Sequence, residues 1–333
     1  MHISFTSYRK PLIWTAKFIV FIPLCGYLVH KLGSDYKELP TRLQTLSPAF
    51  AIIPLLCLAV IQAVNALRQK ILLQGLGAHL PFRQAFRIVY LGFFSNNFLP
   101  AGAGFDLSRL YFFRKTISLN IKEISAVILL DRILGLLALS IIAFASLTAF
   151  TLLRTGGQLQ LGDYGLALLL VLSIPLVLFL GVLSLRVKHI QSVLIGFTDR
   201  FPSLRPLRAV GSILKHFTGK RKMLLTVLLF SITVHVAACI GTASLAYSIF
   251  GTQEAVFSLL FSPLVFLSSS IPVTPGNIGW TESVAEAIWT LGRAEGGLVI
   301  LLTWRFLCVL FSFGGLPFFR DFKEMQGVVT AKD

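Results

Sequence analysis

A chain of 333 residues with 55% hydrophobic and only 13% charged side chains, and a mean hydropathy of +0.80, lies outside the range of soluble domains, which carry about 25% charged residues. The net charge of +16 raises nucleic acid as a partner, but the lysines and arginines stand at the ends of apolar runs, where they set topology and meet anionic lipid head groups, so no nucleic-acid partner is expected. The widest gap between apolar runs is 186–222, and residues 1–333 are read as a single integral membrane domain.

In chain order, six runs approach the roughly 20 apolar residues that cross the hydrocarbon core as a helix, at about 12–31, 48–68, 121–150, 164–185, 223–250 and 297–318. The first follows Arg9-Lys10 as a signal peptide would, but Lys17 interrupts it and no small-x-small cleavage site follows. A retained signal-anchor helix is predicted there.

Two further apolar stretches, at about 84–115 and 255–291, are broken near their centres. The first break reads Asn96-Asn97-Phe98-Leu99-Pro100-Ala101-Gly102-Ala103-Gly104-Phe105-Asp106, and the next apolar run carries Asp131-Arg132. The second reads Ser270-Ile271-Pro272-Val273-Thr274-Pro275-Gly276-Asn277-Ile278-Gly279-Trp280-Thr281-Glu282, and the next apolar run carries Arg305. Pro100, Gly102 and Gly104 in one copy, and Pro272, Pro275, Gly276 and Gly279 in the other, predict two short helices joined by a reversal. Such a pair makes a re-entrant hairpin, which survives at membrane depth only when covered by protein or lining a wet cavity.

Charge placement tests this arrangement. With the N-terminus inside, segment 31–47 falls outside, its Lys31, Lys37 and Arg42 partly balanced by Asp35 and Glu38. Segment 68–87, with Arg68, Lys70, Arg83 and Arg87, falls inside, and re-entrance keeps Arg109, Arg114, Lys115 and Lys122 on that side. The strongly basic 186–222 is inside again, the second hairpin enters from outside, and the tail with Arg320 and Lys323 ends inside. Every basic loop then lies on one face. The expected fold is an all-α polytopic membrane protein of about six spans plus two re-entrant hairpins, arranged as an inverted-topology repeat (about 12–150 and 164–318) in the inner, cytoplasmic membrane with both termini cytoplasmic. Ile128-Leu129-Leu130-Asp131-Arg132 and Ile300-Leu301-Leu302-Thr303-Trp304-Arg305 follow the two hairpins at equivalent points.

An ionisable side chain in mid-membrane costs about 2.5–3.5 kcal/mol on the most lenient scale. Asp106, Asp131, Arg132, Glu282 and Arg305 therefore need partners or a wet cavity. Arg132 and Arg305 are the favoured contacts to a phosphodiester, which the planar guanidinium matches with two parallel hydrogen bonds. Asp131 and Glu282 would hold those arginines or meet a head-group amine. Asp131 and Arg132 point about 100° apart on a helix and cannot pair with each other, so Arg132 with Glu282 and Asp131 with Arg305 are the candidate pairs. Purely structural ion pairs locking hairpins to spans are the alternative. Half-helix N-termini after the breaks favour anions, and Asn96, Asn97, Ser270, Thr274 and Asn277 can satisfy the opened backbone. Cys25, Cys57, Cys239 and Cys308 lie inside apolar runs as small hydrophobes, and the six histidines form no ligand motif, His235 alone being a weak site candidate. No metal or cofactor is expected.

At these residues the chain resembles the flippase-like, lysylphosphatidylglycerol synthase transmembrane-region family. The resemblance is carried by Asn96, Pro100, Gly104, Asp106 and Arg109, then by Asp131-Arg132, and late in the chain by Pro275, Gly279 and Glu282. It runs from about residue 12 to 320. In the multiple peptide resistance factors a similar region precedes a soluble aminoacyl-transfer domain and moves aminoacylated phosphatidylglycerol between leaflets. The resemblance implies the translocating half alone, without lipid synthesis, and it adds Arg109 to the substrate-binding set. Asp131 stands where the family commonly has Glu.

The leading expectation is a lipid flippase or translocase that moves a phospholipid or other anionic lipid without ATP, since no GxxxxGK[ST] loop is present. The alternatives are an intramembrane lipid-modifying enzyme, for which no HExxH, Asp-x-Asp or GxSxG motif is found, and a lipid-binding regulatory or scaffold subunit. Membrane lipids are the expected partners, with a homo-oligomer or a separate lipid-synthesising enzyme as further candidates.

Overall fold

The computed structural model describes residues 22–23, 26–27, 29–30, 33, 48–98, 104–154, 215–217, 219–271 and 273–319. Within them the fold is all-helical, with eight α-helices and no strand. These are α1 (Pro48–Gly75), α2 (Phe82–Phe98), α3 (Gly104–Thr116), α4 (Ile121–Arg154), α5 (Arg221–Phe250), α6 (Thr252–Ser268), α7 (Trp280–Leu291) and α8 (Gly297–Ser312). Four stretches are long and apolar enough to cross a membrane: Ile52–Gly75, Ile121–Leu152, Arg221–Phe250 and Gly297–Phe319. They match four of the six expected spans. The expected span at 164–185 lies outside the described residues, and so does the one at 12–31 apart from isolated helical positions.

Helix ends follow local chemistry. α1 continues past Arg68, where the charge suggests a stop, and ends in a Schellman motif: Ala78 N–H donates to Leu73 O, Gly77 N–H to Gln74 O, and Gly77 takes φ +84°. α4 opens with a reciprocal capping box, Glu123 N–H donating to Asn120 Oδ1 and Asn120 N–H to Glu123 Oε2.

Both broken stretches are helical hairpins. In the first, α2 and α3 flank residues 99–103 and lie against each other, with Gly92 so close to Phe105 that an added Cβ would meet its ring at 3.0 Å. In the second, α6 returns as α7: Trp280 Nε1 donates to Ser268 O beside the turn, and at the far end the Phe257 and Trp289 rings meet edge to face at 5.1 Å. At about 1.5 Å per residue, the 17-residue α2 and 13-residue α3 are about 25 and 20 Å long.

The described order is thus span, hairpin, span, twice over. Packing repeats with it: α1 meets α2, α4 and α5, while α5 meets α6, α8 and α1. The hairpins cross over as well, α6 packing on α4 and α2 on α8.

Several polar and charged side chains are drawn inward while large apolar ones face out. Gln62, Arg68, Gln69 and Asp131 are buried, whereas Leu56 and Val60 of α1, Leu225, Leu229 and Ile240 of α5, and Phe306 and Leu310 of α8 face outward. An apolar exterior over buried polar groups, with Arg68 and Asp131 paired, suits a hydrocarbon solvent. Two apolar cores hold the bundle. One packs Leu72, Ile88, Leu91, Phe113 and Val127 around the first hairpin. The other packs Leu58, Val265, Trp289, Ile300 and Trp304 around the second.

Close approach of α7 and α8 depends on Gly297, where an added Cβ would lie 2.7 Å from the Ala285 carbonyl oxygen. Backbone cannot yield as a side-chain tip can. Gly297→Ala is expected to lower unfolding free energy in detergent by about 1–3 kcal/mol; an unchanged midpoint in a denaturation series would contradict this packing.

Candidate functional site

The buried charges gather in two clusters, one per hairpin. In the first, Asp131 of α4 receives Arg68 of α1 (Nη2 to Oδ1, 2.6 Å) and Arg109 of α3 (Nη1 to Oδ2, 3.0 Å). Arg68 Nη2 also donates to the Asp131 carbonyl at 3.0 Å, and its Nη1 to Asn65 Oδ1 at 3.0 Å. Arg109 reaches one turn back to Asp106 (Nη2 to Oδ1, 2.5 Å), and Asp106 Oδ2 accepts from Arg132 Nε. The Phe105 ring lies 4.1 Å from the Arg109 guanidinium carbon. The chain of contacts runs Arg68, Asp131, Arg109, Asp106, Arg132. Three guanidiniums against two carboxylates leave one positive charge.

Exposure rises along this chain. The side chains of Arg68 and Arg109 are 6% and 2% exposed, Asp106 is 21% exposed and Arg132 is 49% exposed. Arg132 commits only Nε to Asp106, so its Nη groups form the open end of the network.

That open end borders a cavity of about 420 Å³ between α1, α2, α3, α4 and α5. Its polar lining comprises the five charged residues with Gln62, Asn65, Asn96, His235 and Ser270, and its apolar lining includes Ile61, Phe93, Leu136 and Val234. Ser270 brings the start of the second break to the same space. His235 Nε2 lies 3.1 Å from Gly135 O, one turn beyond Asp131.

The second cluster ties its arginine at three points, with the Arg305 side chain 30% exposed. Arg305 of α8 donates Nε to Glu282 Oε1 at 2.5 Å, Nη1 to Gly276 O at 3.1 Å and Nη2 to Asn277 O at 3.2 Å. Glu282, 1% exposed, takes the Gly279 N–H on its other oxygen at 2.9 Å and so caps α7. The turn between needs left-handed backbone at Gly276, Asn277 and Gly279, with φ of +63°, +54° and +83°. Asn277 Nδ2 donates to Ser269 O, and Thr274 Oγ1 donates to Ile278 O at 2.8 Å. Arg305 satisfies the carbonyls this backbone opens.

The expected site residues therefore divide. Asn96, Asp106, Arg109, Asp131 and Arg132 come together at the cavity. Arg305, Glu282 and Asn277 stand with Gly276 and Gly279 in the second turn and are not among the cavity's lining residues. Asn97 turns its amide to Phe93 O at 3.3 Å. Pro100, Gly102 and Pro272 lie outside the described residues, Gly104 starts α3, and Pro275 begins the second turn. Neither cross-hairpin pair forms: Arg132 pairs with Asp106 and not Glu282, and Asp131 pairs with Arg68 and Arg109 and not Arg305. Each hairpin has a cation nearer at hand, on the helix packed beside it.

Arg68 and Gln62 are the residues that sequence reasoning misses. Arg68 resembles the inner end of a span, but its charge is met inside the bundle. Gln62, Asn65 and Arg68 recur every third residue, which confines three polar side chains to about 120° of a helix that is apolar up to that point. That spacing is the signal that could find them.

Helices, apolar exterior and buried charge define a multi-pass α-helical membrane protein. The chain belongs to the lysylphosphatidylglycerol synthase TM region family, whose model matches residues 14–314. It is also similar to a UPF0104 membrane protein of Pyrococcus horikoshii, 23% identical over 273 residues that cover 76% of this chain and 80% of that protein. No solved structure matches it.

The geometry separates structural from free charge. Asp131→Ala, which strands Arg68 and leaves Arg109 with Asp106 alone, is expected to cost about 3–5 kcal/mol, while Arg132→Ala at the half-exposed end costs about 1 kcal/mol or less. Unfolding midpoints in detergent would measure both, and equal losses would contradict the exposure gradient. Arg305→Ala and Glu282→Ala should each destabilise by about 3 kcal/mol, with the double variant falling well short of their sum because each single change strands the other partner; additive losses would show that the two side chains act independently.

Proposed function

We propose that this protein carries a phospholipid or other anionic lipid between the leaflets of the inner membrane without ATP, its cavity facing each side in turn. The observation that carries the reading is the open end of the ion network: a guanidinium with free Nη donors, on a cluster of net positive charge, bordering a cavity between the first hairpin and three spans. A phosphodiester monoanion neutralises that charge and matches the donor fork. The tails would stay in the hydrocarbon beside the apolar lining.

Two further features support alternating access. The order span, hairpin, span occurs twice, and α2–α8 packing has its counterpart in α6–α4. With the positive-inside assignment of the loops, the two hairpins enter from opposite faces, as in an inverted-topology repeat, and both termini are cytoplasmic. Ser270 at the cavity makes the second hairpin a natural moving wall. In this mechanism Arg132 is the contact to the anion, Asp106 aims it, and Arg305 keeps the second hairpin's turn folded while that element moves.

The test is leaflet exchange of a labelled anionic phospholipid in proteoliposomes. Wild-type protein should accelerate exchange with no nucleotide present, and Arg132→Ala should abolish it while eluting and melting as the parent does. Undiminished exchange in Arg132→Ala would remove this arginine from the mechanism. No acceleration by wild-type protein would remove the carrier.

A further inference from the structure

The cavity also discriminates among head groups by what it lacks. Both carboxylates at its wall are already shared between guanidiniums: Asp131 holds Arg68 and Arg109, and Asp106 holds Arg109 and Arg132. Each is neutralised by guanidiniums, although Asp131 Oδ1 meets Arg68 as an ion pair and accepts no hydrogen bond among the described residues, and the cluster's residual charge repels an ammonium. His235 adds no anion, its Nε2 being taken up with the Gly135 carbonyl. What remains is an amide lining, Gln62 and Asn65 from α1 and Asn96 from α2. Amides both donate and accept, which suits hydroxyl groups.

Gln62 is the sharpest of these. It is 2% exposed, it lines the cavity, and its Oε1 is buried with no hydrogen-bond partner among the described residues. A buried acceptor left unmet costs about 1–3 kcal/mol, and native interiors rarely leave one without a reason. A ligand hydroxyl would relieve it. A site that answers a hydroxyl in this way rejects an analogue without one, because its own polar group then stays unpaired.

Building on the carrier reading, we infer that the cavity takes a singly anionic lipid with a hydroxylated, uncharged head group such as glycerol or a sugar, that it disfavours amine-bearing and aminoacylated head groups, and that Gln62 is the specificity-determining residue. The phosphodiester lies against Arg132, and the polyol reaches the amides of α1. Choline fails for want of a donor, and ethanolamine or a lysyl ester is opposed by the cluster's residual positive charge.

Native mass spectrometry of the full chain in detergent, titrated with defined lipids, tests this. Wild-type protein should bind phosphatidylglycerol at least about tenfold more tightly than phosphatidylethanolamine, phosphatidylcholine or lysyl-phosphatidylglycerol. Gln62→Leu should lower phosphatidylglycerol binding about tenfold, to the level of phosphatidylcholine, while the amine lipids stay disfavoured by the cluster's charge, and Gln62→Glu, which supplies a carboxylate, should turn the preference towards the ethanolamine lipid. Equal binding of the four lipids by wild-type protein, or a ranking that neither variant alters, overturns the inference and leaves the carrier standing. Should Gln62→Leu fail to fold, the wild-type ranking and the Glu variant decide. Wild-type protein that retains none of the lipids, or that loses phosphatidylglycerol as readily to its deacylated head group glycerophosphoglycerol as to the lipid itself, sinks the carrier reading and this inference together.

Discussion

Asp131 takes one guanidinium on each carboxylate oxygen, Arg68 from α1 at 2.6 Å and Arg109 from α3 at 3.0 Å, in a bundle whose outer surface is apolar. Burying any one of these three charges alone costs several kcal/mol, and their mutual attraction offsets that only with good geometry. The three side chains therefore fix where their helices go. α1 and α4 are spans, α3 is half of a hairpin, and a shift of any of them would strand a charge in low dielectric. The remainder of the first repeat follows from this bond set, including the length of α1, which can carry Arg68 through the core and end at the Gly77 turn.

The second repeat meets the same demand with different parts. Glu282 occupies the first turn of α7, as Asp106 does in α3, and an arginine from the following span reaches each of them. The two sites diverge in what the arginine does next. Arg305 also commits one N–H of each Nη to the carbonyls of Gly276 and Asn277, so it closes a turn. Arg132 spends only Nε, because Asp106 is already held by Arg109. One shared geometry yields a lock on one side and an open donor fork on the other. The difference traces to Arg68 and Arg109, for which the second cluster has no equivalent among the described residues: they stabilise the first hairpin and release Arg132 from that duty.

Much of this architecture is legible in the residue pattern. Four spans fall near their expected bounds, because long apolar runs bounded by basic residues have few alternatives in a bilayer. Both interruptions at Pro and Gly are hairpins, and Asp106, Arg109, Asp131 and Arg132 are neighbours. The failures concern partners rather than positions. Arg68 reads as a topological charge, since a sequence shows an arginine at the end of an apolar run without showing the carboxylate 63 residues on that neutralises it. Arg305 reads as a ligand contact, although the carbonyls it satisfies belong to a turn whose left-handed backbone at Asn277 no residue pattern announces. Pairing across helices depends on bundle geometry, and one chain's spacing does not encode that directly.

The distribution of charge also bears on how such a bundle could move. Elements tied by fully buried ion pairs shift together, because separating them exposes charge to hydrocarbon. α1, α3 and α4 form such a body through Asp131, and α7 and α8 form another through Glu282, Arg305 and the Glu286 carboxylate that receives the Leu298 N–H at 2.9 Å. The helices joining the two bodies meet differently. α5 and α6 touch through small hydroxyls, Thr242 with Ser262 at 3.0 Å, and α5 faces Trp304 of α8 across Gly241, with no ion pair among these contacts. Neutral contacts of this kind can exchange partners at little cost, so any relative motion would concentrate between the two charged bodies. The cavity lies at that boundary, with Arg132 on one body and Ser270, from the break preceding α7, on the other side. In the proposed carrier, a ligand on the guanidinium would sit where displacement of the second hairpin changes its surroundings, while the buried ion pairs hold α1, α3 and α4 together.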